Sequence, residues 1–121
     1  MLPAHQSIRE ILMNPVDTQA NRIRTIDLPD LAAALPAAWR SRIVGQAAGA
    51  NLKVLRMDEA AYPDETHDFD EALLVIEGRM NLALGEEIAA VEAGQLCIVP
   101  AGVPHAVAPG SHGILVIIDR P

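Results

Sequence analysis

Aromatic residues make up only 2% of this 121-residue chain, and Trp39, Tyr62 and Phe69 are the whole supply. Proteins that stack nucleic-acid bases need exposed aromatic faces, so this scarcity argues against that role. Basic residues are short as well, 9 against 16 acidic ones, for a formal charge of −7. Phosphate backbones are gripped by basic stripes, so nucleic acid is not an expected partner. Cysteine is reduced to one residue, Cys97, which rules out an internal disulfide and a cysteine-built metal cage. No apolar run approaches the roughly 18 residues that suggest a membrane span. The N-terminus lacks a basic segment followed by a long apolar stretch, the pattern of a secretory signal. The expected setting is therefore soluble and cytoplasmic, with no membrane partner.

Half of the residues are hydrophobic, mostly Ala, Val, Leu and Ile. The length suits one domain, residues 1–121, with a core that needs no staples. Residues 1–26 mix polar and apolar types without a period and read as a partly extended arm, in which His5 is exposed and idle. "DLPDLAAALP" reads as a short helix with Asp27 as N-cap, Pro29 and Asp30 in the first turn, and Pro36 as its stop. Leu28, Leu31 and Leu35 share its apolar face. Residues 1–39 thus form an arm and a short helix, and residues 40–121 a run of strands. "RSRIVGQA" and "NLKVLRM" make a hairpin across Ala48-Gly49-Ala50. "EALLVIE" runs to a break at Gly78-Arg79, followed by "MNLAL", "IAAVEAG", "QLCIVP", "HAVAP" and "GILVIID". Short strands at 8–12-residue spacing predict an all-β sandwich or barrel.

The chemistry concentrates in two stretches. In "ETHDFDEALLVIEG", alternation puts Glu71, Leu73 and Val75 on one face. Leu73 and Val75 belong inside, so Glu71 points inward too, and an inward carboxylate needs a partner or a cation. Extended backbone reaching further back would put Glu65 and His67 on a common face. In "GQLCIVPAGVPHAV", Pro100 and Pro104 stiffen the approach to His105, which lowers the entropy lost in fixing it.

The second stretch resembles the second conserved motif of the cupins: Gly, five residues, Pro, one residue, Gly, two residues, His. Gly94, Pro100, Gly102 and His105 match at every spacing, while the Asn that usually closes the motif is Pro109 here. Glu71 and Gly78 match the second half of the first cupin motif. "DEALLVIEGRMNLAL" and "WRSRIVGQAAGANLKVLRM" are similar to segments of small single-domain cupins, so the resemblance covers residues 39–118. It implies a jelly-roll β-barrel and a homodimer. The apolar strands "LKVLRM" and "GILVIID" agree with a dimer, since a lone small barrel would leave them at an exposed edge or patch.

The first motif normally opens with His-x-His, but this chain has one histidine there. Either Glu65-Thr66-His67 overlays the pair, or His67-Asp68-Phe69 does; the first keeps both side chains on one face and is preferred. Both alignments leave His67, Glu71 and His105. Two histidines and a carboxylate leave coordination positions open, as in non-haem iron sites. Glu65 would make the set more anionic, favouring Mn²⁺ or Fe²⁺, with Ni²⁺ or Zn²⁺ as Lewis-acid alternatives; its ordinary fate is a solvated carboxylate. Occupancy should fall in acid, because a ligating imidazole must give up its proton. His112 reads as a surface residue, Cys97 as a buried inert thiol, and Asp64, Asp68 and Asp70 as solvated loop acids. The leading expectation is a barrel that binds a divalent metal ion and a small polar ligand. The alternatives are a metal-dependent dioxygenase or sugar-type isomerase, with Glu65 or Tyr62 moving protons, and a metal-free binding module with a decayed site.

Overall fold

A computed structural model of the protein describes residues 22–121. The expected arm lies mostly outside the described residues, as does His5; Arg22–Ile26 are exposed and irregular. Helix α1 (Leu28–Ala33) starts as its sequence dictates, with the Asp30 amide donating to the Asp27 carboxylate at 2.9 Å. It ends before Pro36 is reached. Arg56 finishes the cap, its Nη1 donating to the Ala32 and Leu35 carbonyls at 2.8 and 3.1 Å, so the exposed carbonyl end of the helix meets a cation.

Eight strands follow: β1 (Arg42–Ala47), β2 (Ala50–Asp58), β3 (Tyr62–Glu65), β4 (Glu71–Leu84), β5 (Glu87–Glu92), β6 (Leu96–Val99), β7 (His105–Val107) and β8 (His112–Asp119). All pair antiparallel in one curled sheet of order β1-β2-β8-β4-β7-β3, with β5 and β6 also bonded to β4. This is the expected β-barrel. The β1–β2 hairpin closes on Ala48 and Gly49, both at positive φ, 52° and 75°, as a two-residue type I′ turn demands.

Two strands differ from expectation. Tyr62–Glu65 is a strand, though Pro63 argues against one. It sits at the end of the strand order, bonded among the described residues only to β7, where a missing amide is tolerated. Conversely, Gly78-Arg79 is not a break, because β4 runs through it for 14 residues. The register slips between Val75 and Glu77, so the inward set changes from Glu71, Leu73 and Val75 to Met80 and Leu82. A bulge of this kind flips the alternation and bends the strand. The first half of β4 then pairs with β6 and the second half with β5. At the bend Gly78 (φ 78°) lies against Gly113 (φ 100°). A Cβ on Gly78 would stand 2.1 Å from the His112 carbonyl oxygen, and one on Gly113 would stand 2.0 Å from that of Glu77.

The barrel interior holds Leu55, Met57, Leu73, Val75, Met80, Leu82, Val91, Val99 and Leu115. A second cluster, Ala32, Leu35, Val54 and Ile114, fixes α1 to the outside of β2 and β8. The outer face carries two apolar rows across four strands, one of Leu52, Ile118, Ala72 and Ile98 and one of Val54, Val116, Leu74 and Leu96, with Val54 beneath the helix. Leu96 and Ile98 are 56% and 62% exposed.

Candidate functional site

A cavity of about 160 Å³ opens into the barrel. Its apolar floor is Leu73, Met80, Leu82 and Leu115, and the tilted rings of Trp39 and Tyr62, 5.7 Å apart, stand in its wall. Four polar side chains converge in it, three from one stretch of the chain and the fourth from another. Glu65 ends β3, in register with His105 at the start of β7. Glu71 opens β4, and His67 lies in the loop between β3 and β4. The structure thus brings together all four residues singled out in the sequence: Glu65, His67, Glu71 and His105.

Glu71 and His105 are buried, at 6% and 5% exposure. Glu71 spans both imidazoles, with Oε1 3.2 Å from His105 Nε2 and Oε2 3.6 Å from His67 Nε2. Glu65 Oε2 lies 3.3 Å from His67 Nε2. The ring of His105 is fixed from behind, where Nδ1 lies 2.9 Å from the Val103 carbonyl. A carbonyl only accepts, so Nδ1 carries the proton. In the neutral ring Nε2 would then turn a lone pair toward the carboxylate of Glu71. That contact is favourable only if a second proton or a cation is shared there.

The two motifs are tied to each other. The Gly102 amide donates to the His67 carbonyl at 2.7 Å, and the Ala101 amide donates to the Asp70 carboxylate at 2.9 Å. Asp70 is therefore a loop tie as well as a solvated acid. Phe69 stacks on the His67 ring at 4.9 Å, and the Arg120 guanidinium lies 5.0 Å from the Phe69 centroid. Arg120 also donates to Asp68 at 2.6 Å. That hydrogen bond and the cation's charge hold the Asp68 carboxyl below its ordinary value of 3.8. His112 is exposed, as expected. Cys97 is half-buried against the core, and burial pushes its thiol pKa up.

The donor set suits a small divalent cation. Ligand atoms at about 2.0–2.2 Å from one ion stand roughly 2.8–3.1 Å apart at right angles and roughly 3.3–3.6 Å apart at tetrahedral angles; the contacts here are 3.2, 3.3 and 3.6 Å. Glu65, His67 and His105 each place a ligand atom within 4.8 Å of the others. Glu71 falls outside that tightest triad but touches both histidines. His67 Nε2 is buried and, among the described residues, makes no hydrogen bond despite its two carboxylate neighbours, and His67 lines the cavity.

Two further charged residues line the same cavity and were not singled out: Lys53 on β2 and Asp119 on β8. The signal was present. Lys53 is in phase with Leu55 and Met57, and Asp119 with Leu115 and Ile117, all inward by alternation.

The family profile for the cupin domain matches residues 54–119. Solved structures share the fold. A cupin-2 domain containing protein from Shewanella frigidimarina superposes with TM-score 0.73 at 23% identity, covering 79% of this chain and 94% of that one. Protein NMB1881 from Neisseria meningitidis gives 0.70 at 24%, covering 81% and 100%. TT1209 from Thermus thermophilus gives 0.67 at 26%, covering 82% and 100%. No curated protein matches the chain in sequence.

Proposed function

The chain belongs to the cupin domain family, and from that premise we propose that its barrel binds a divalent metal ion together with a small polar ligand. The observation that carries this reading is the Nε2 of His67, which makes no hydrogen bond among the described residues and lies buried between two carboxylates within reach of His105. His67, His105 and Glu71 would hold the ion, with Glu65 as a fourth ligand at the cavity mouth. Three or four protein ligands leave positions open for a ligand oxygen. A bound ion would supply Lewis-acid polarisation of that oxygen.

The chain's own residues do the rest. Val103 orients His105, and an outer hydrogen bond of this kind fixes the tautomer of a ligating ring. Phe69 and the Gly102 amide hold His67. The apolar floor excludes water from one side of the cavity. The protein is further proposed to be cytoplasmic, where its single thiol, Cys97, stays reduced. It is proposed to pair as a homodimer through the apolar outer face around Leu96 and Ile98.

The test is metal analysis of tag-free protein, followed by a thermal-shift series with Mn²⁺, Fe²⁺, Ni²⁺ and Zn²⁺. At an ion concentration about 100 times its dissociation constant, stability rises by about 2.7 kcal/mol. No bound metal and no shift with any of the four ions would remove the reading.

A further inference from the structure

Lys53 is the only lysine in the sequence, and its side chain lines the cavity. Its Nζ is 2.7 Å from Asp119 Oδ2. Asp119 is 8% exposed, and its other oxygen, Oδ1, is buried with no hydrogen-bond partner among the described residues. Across the β2–β8 pair Asp119 faces the buried Asn51, and Asp119 and Glu71 both line the cavity. An unmet buried acceptor is costly. Apolar residues of similar size would hold β2 and β8 together at no such cost. The pair therefore has work beyond joining two strands.

We propose that Lys53 and Asp119 form a receptor for a ligand hydroxyl, and that the cavity's ligand is a small hydroxylated molecule. Lys53 has N–H groups beyond the one given to Asp119, and Asp119 Oδ1 lacks a donor. The complement is a group that accepts from one and donates to the other, which a hydroxyl does. A carboxylate has no proton for Asp119, and any anion meets a pair already neutralised. An alkyl group would leave both functions unmet. A cavity near 160 Å³ takes a guest of roughly six heavy atoms, since a comparable 150 Å³ cavity holds benzene. The apolar floor suits the C–H face of such a molecule. The inference rests on the reading that this cavity takes a small polar ligand, but it does not require that a metal be bound.

The experiment is calorimetric titration of the full chain, metal-free and Mn²⁺-loaded, with matched probes: glycerate beside lactate, and glycerol beside propane-1,2-diol. The wild type is expected to favour the probe with the additional hydroxyl by about tenfold, the net worth of one hydrogen bond. The Lys53→Met/Asp119→Leu double variant, checked for folding by circular dichroism, should lose that preference. The isosteric Asp119→Asn should reduce it and serves if the double variant does not fold. No preference in the wild type, including no binding of any probe, overturns the proposal; so does an undiminished preference in the variants. Mn²⁺ binding is read in the same titrations. Hydroxyl preference without metal binding would sink only the metal reading, and metal binding without the preference would sink only this one.

Discussion

The amide of Gly102 donates to the carbonyl of His67 at 2.7 Å, so the glycine of one motif holds the histidine of the other. Gly102 has a φ of 80°, which a side chain rarely adopts. The turn before His105 thus positions two imidazoles, one through the chain and one through this hydrogen bond. Their rings stand 5.4 Å apart, edge to face.

Replacing His105 by Ala removes a buried imidazole from the centre of this arrangement. Mn²⁺ affinity measured by calorimetry is expected to fall more than about 100-fold, since losing even an outer-shell partner costs 10–100-fold. The far-ultraviolet circular dichroism should stay that of a folded β protein. Unchanged Mn²⁺ affinity in a folded variant would show that His105 is not a ligand.

Gly78→Ala places a methyl group 2.1 Å from the His112 carbonyl oxygen, at a residue whose φ is already 78°. A backbone atom cannot step aside as a flexible side chain can. The expected cost is about 3 kcal/mol, a fall in Tm of roughly 10–20 °C in a thermal melt. Gly85→Ala, where nothing among the described residues lies within 4 Å of the new carbon, is the control for φ strain alone and should cost less. Equal losses in the two variants would discount the close approach to β8.

Arg120→Ala should release Asp68. With Arg120 present the carboxyl titrates below 3.8; without it, the titration followed by nuclear magnetic resonance should move up into the ordinary range. A depressed folded-state value stabilises the fold above the unfolded value, and that contribution is lost as pH falls through the folded one. Asp68 is a surface group, so its share of stability is small. The Phe69 ring, and with it His67, should gain mobility in the variant. An unmoved Asp68 titration would mean that the pair does not persist in solution.

Leu96→Asp/Ile98→Asp puts two charges on the apolar rows of the outer face. If that face joins two copies, light scattering should give a dimer mass for the wild type and a monomer mass for the variant. A wild-type monomer, or a variant that remains dimeric, would contradict the assignment of this surface.

Alternation made most of the barrel legible. Glu71 was placed inside because Leu73 and Val75 had to be inside, and it is. The same rule failed across Gly78, where the bulge exchanges the inward set; period-two reasoning sees such a slip as the end of a strand. It also passed over Tyr62–Glu65, because a proline is read as a breaker unless the strand is known to be an edge. For the candidate site, alternation pointed to Glu71 and the flanking prolines to His105, while His67 and the set as a whole came from the resemblance to the cupin motifs. The neighbourhood of Glu65 and His105 depended on the pairing of β3 with β7, which no local pattern encodes. Lys53 and Asp119 obeyed the inward phase of their strands, but a charged residue in an apolar run is ordinarily assigned to the surface.

The strand order has a consequence for how this protein comes to exist. The hairpins of β1 with β2 and of β4 with β5 close over short distances along the chain. β2 and β4 meet only through β8, which must dock between segments that precede it by dozens of residues. Such non-local pairing is the slow part of assembling a β protein. The cavity wall is therefore complete only when residues 112–119 have arrived, so a guest captured there would report on the finished barrel and not on its hairpins.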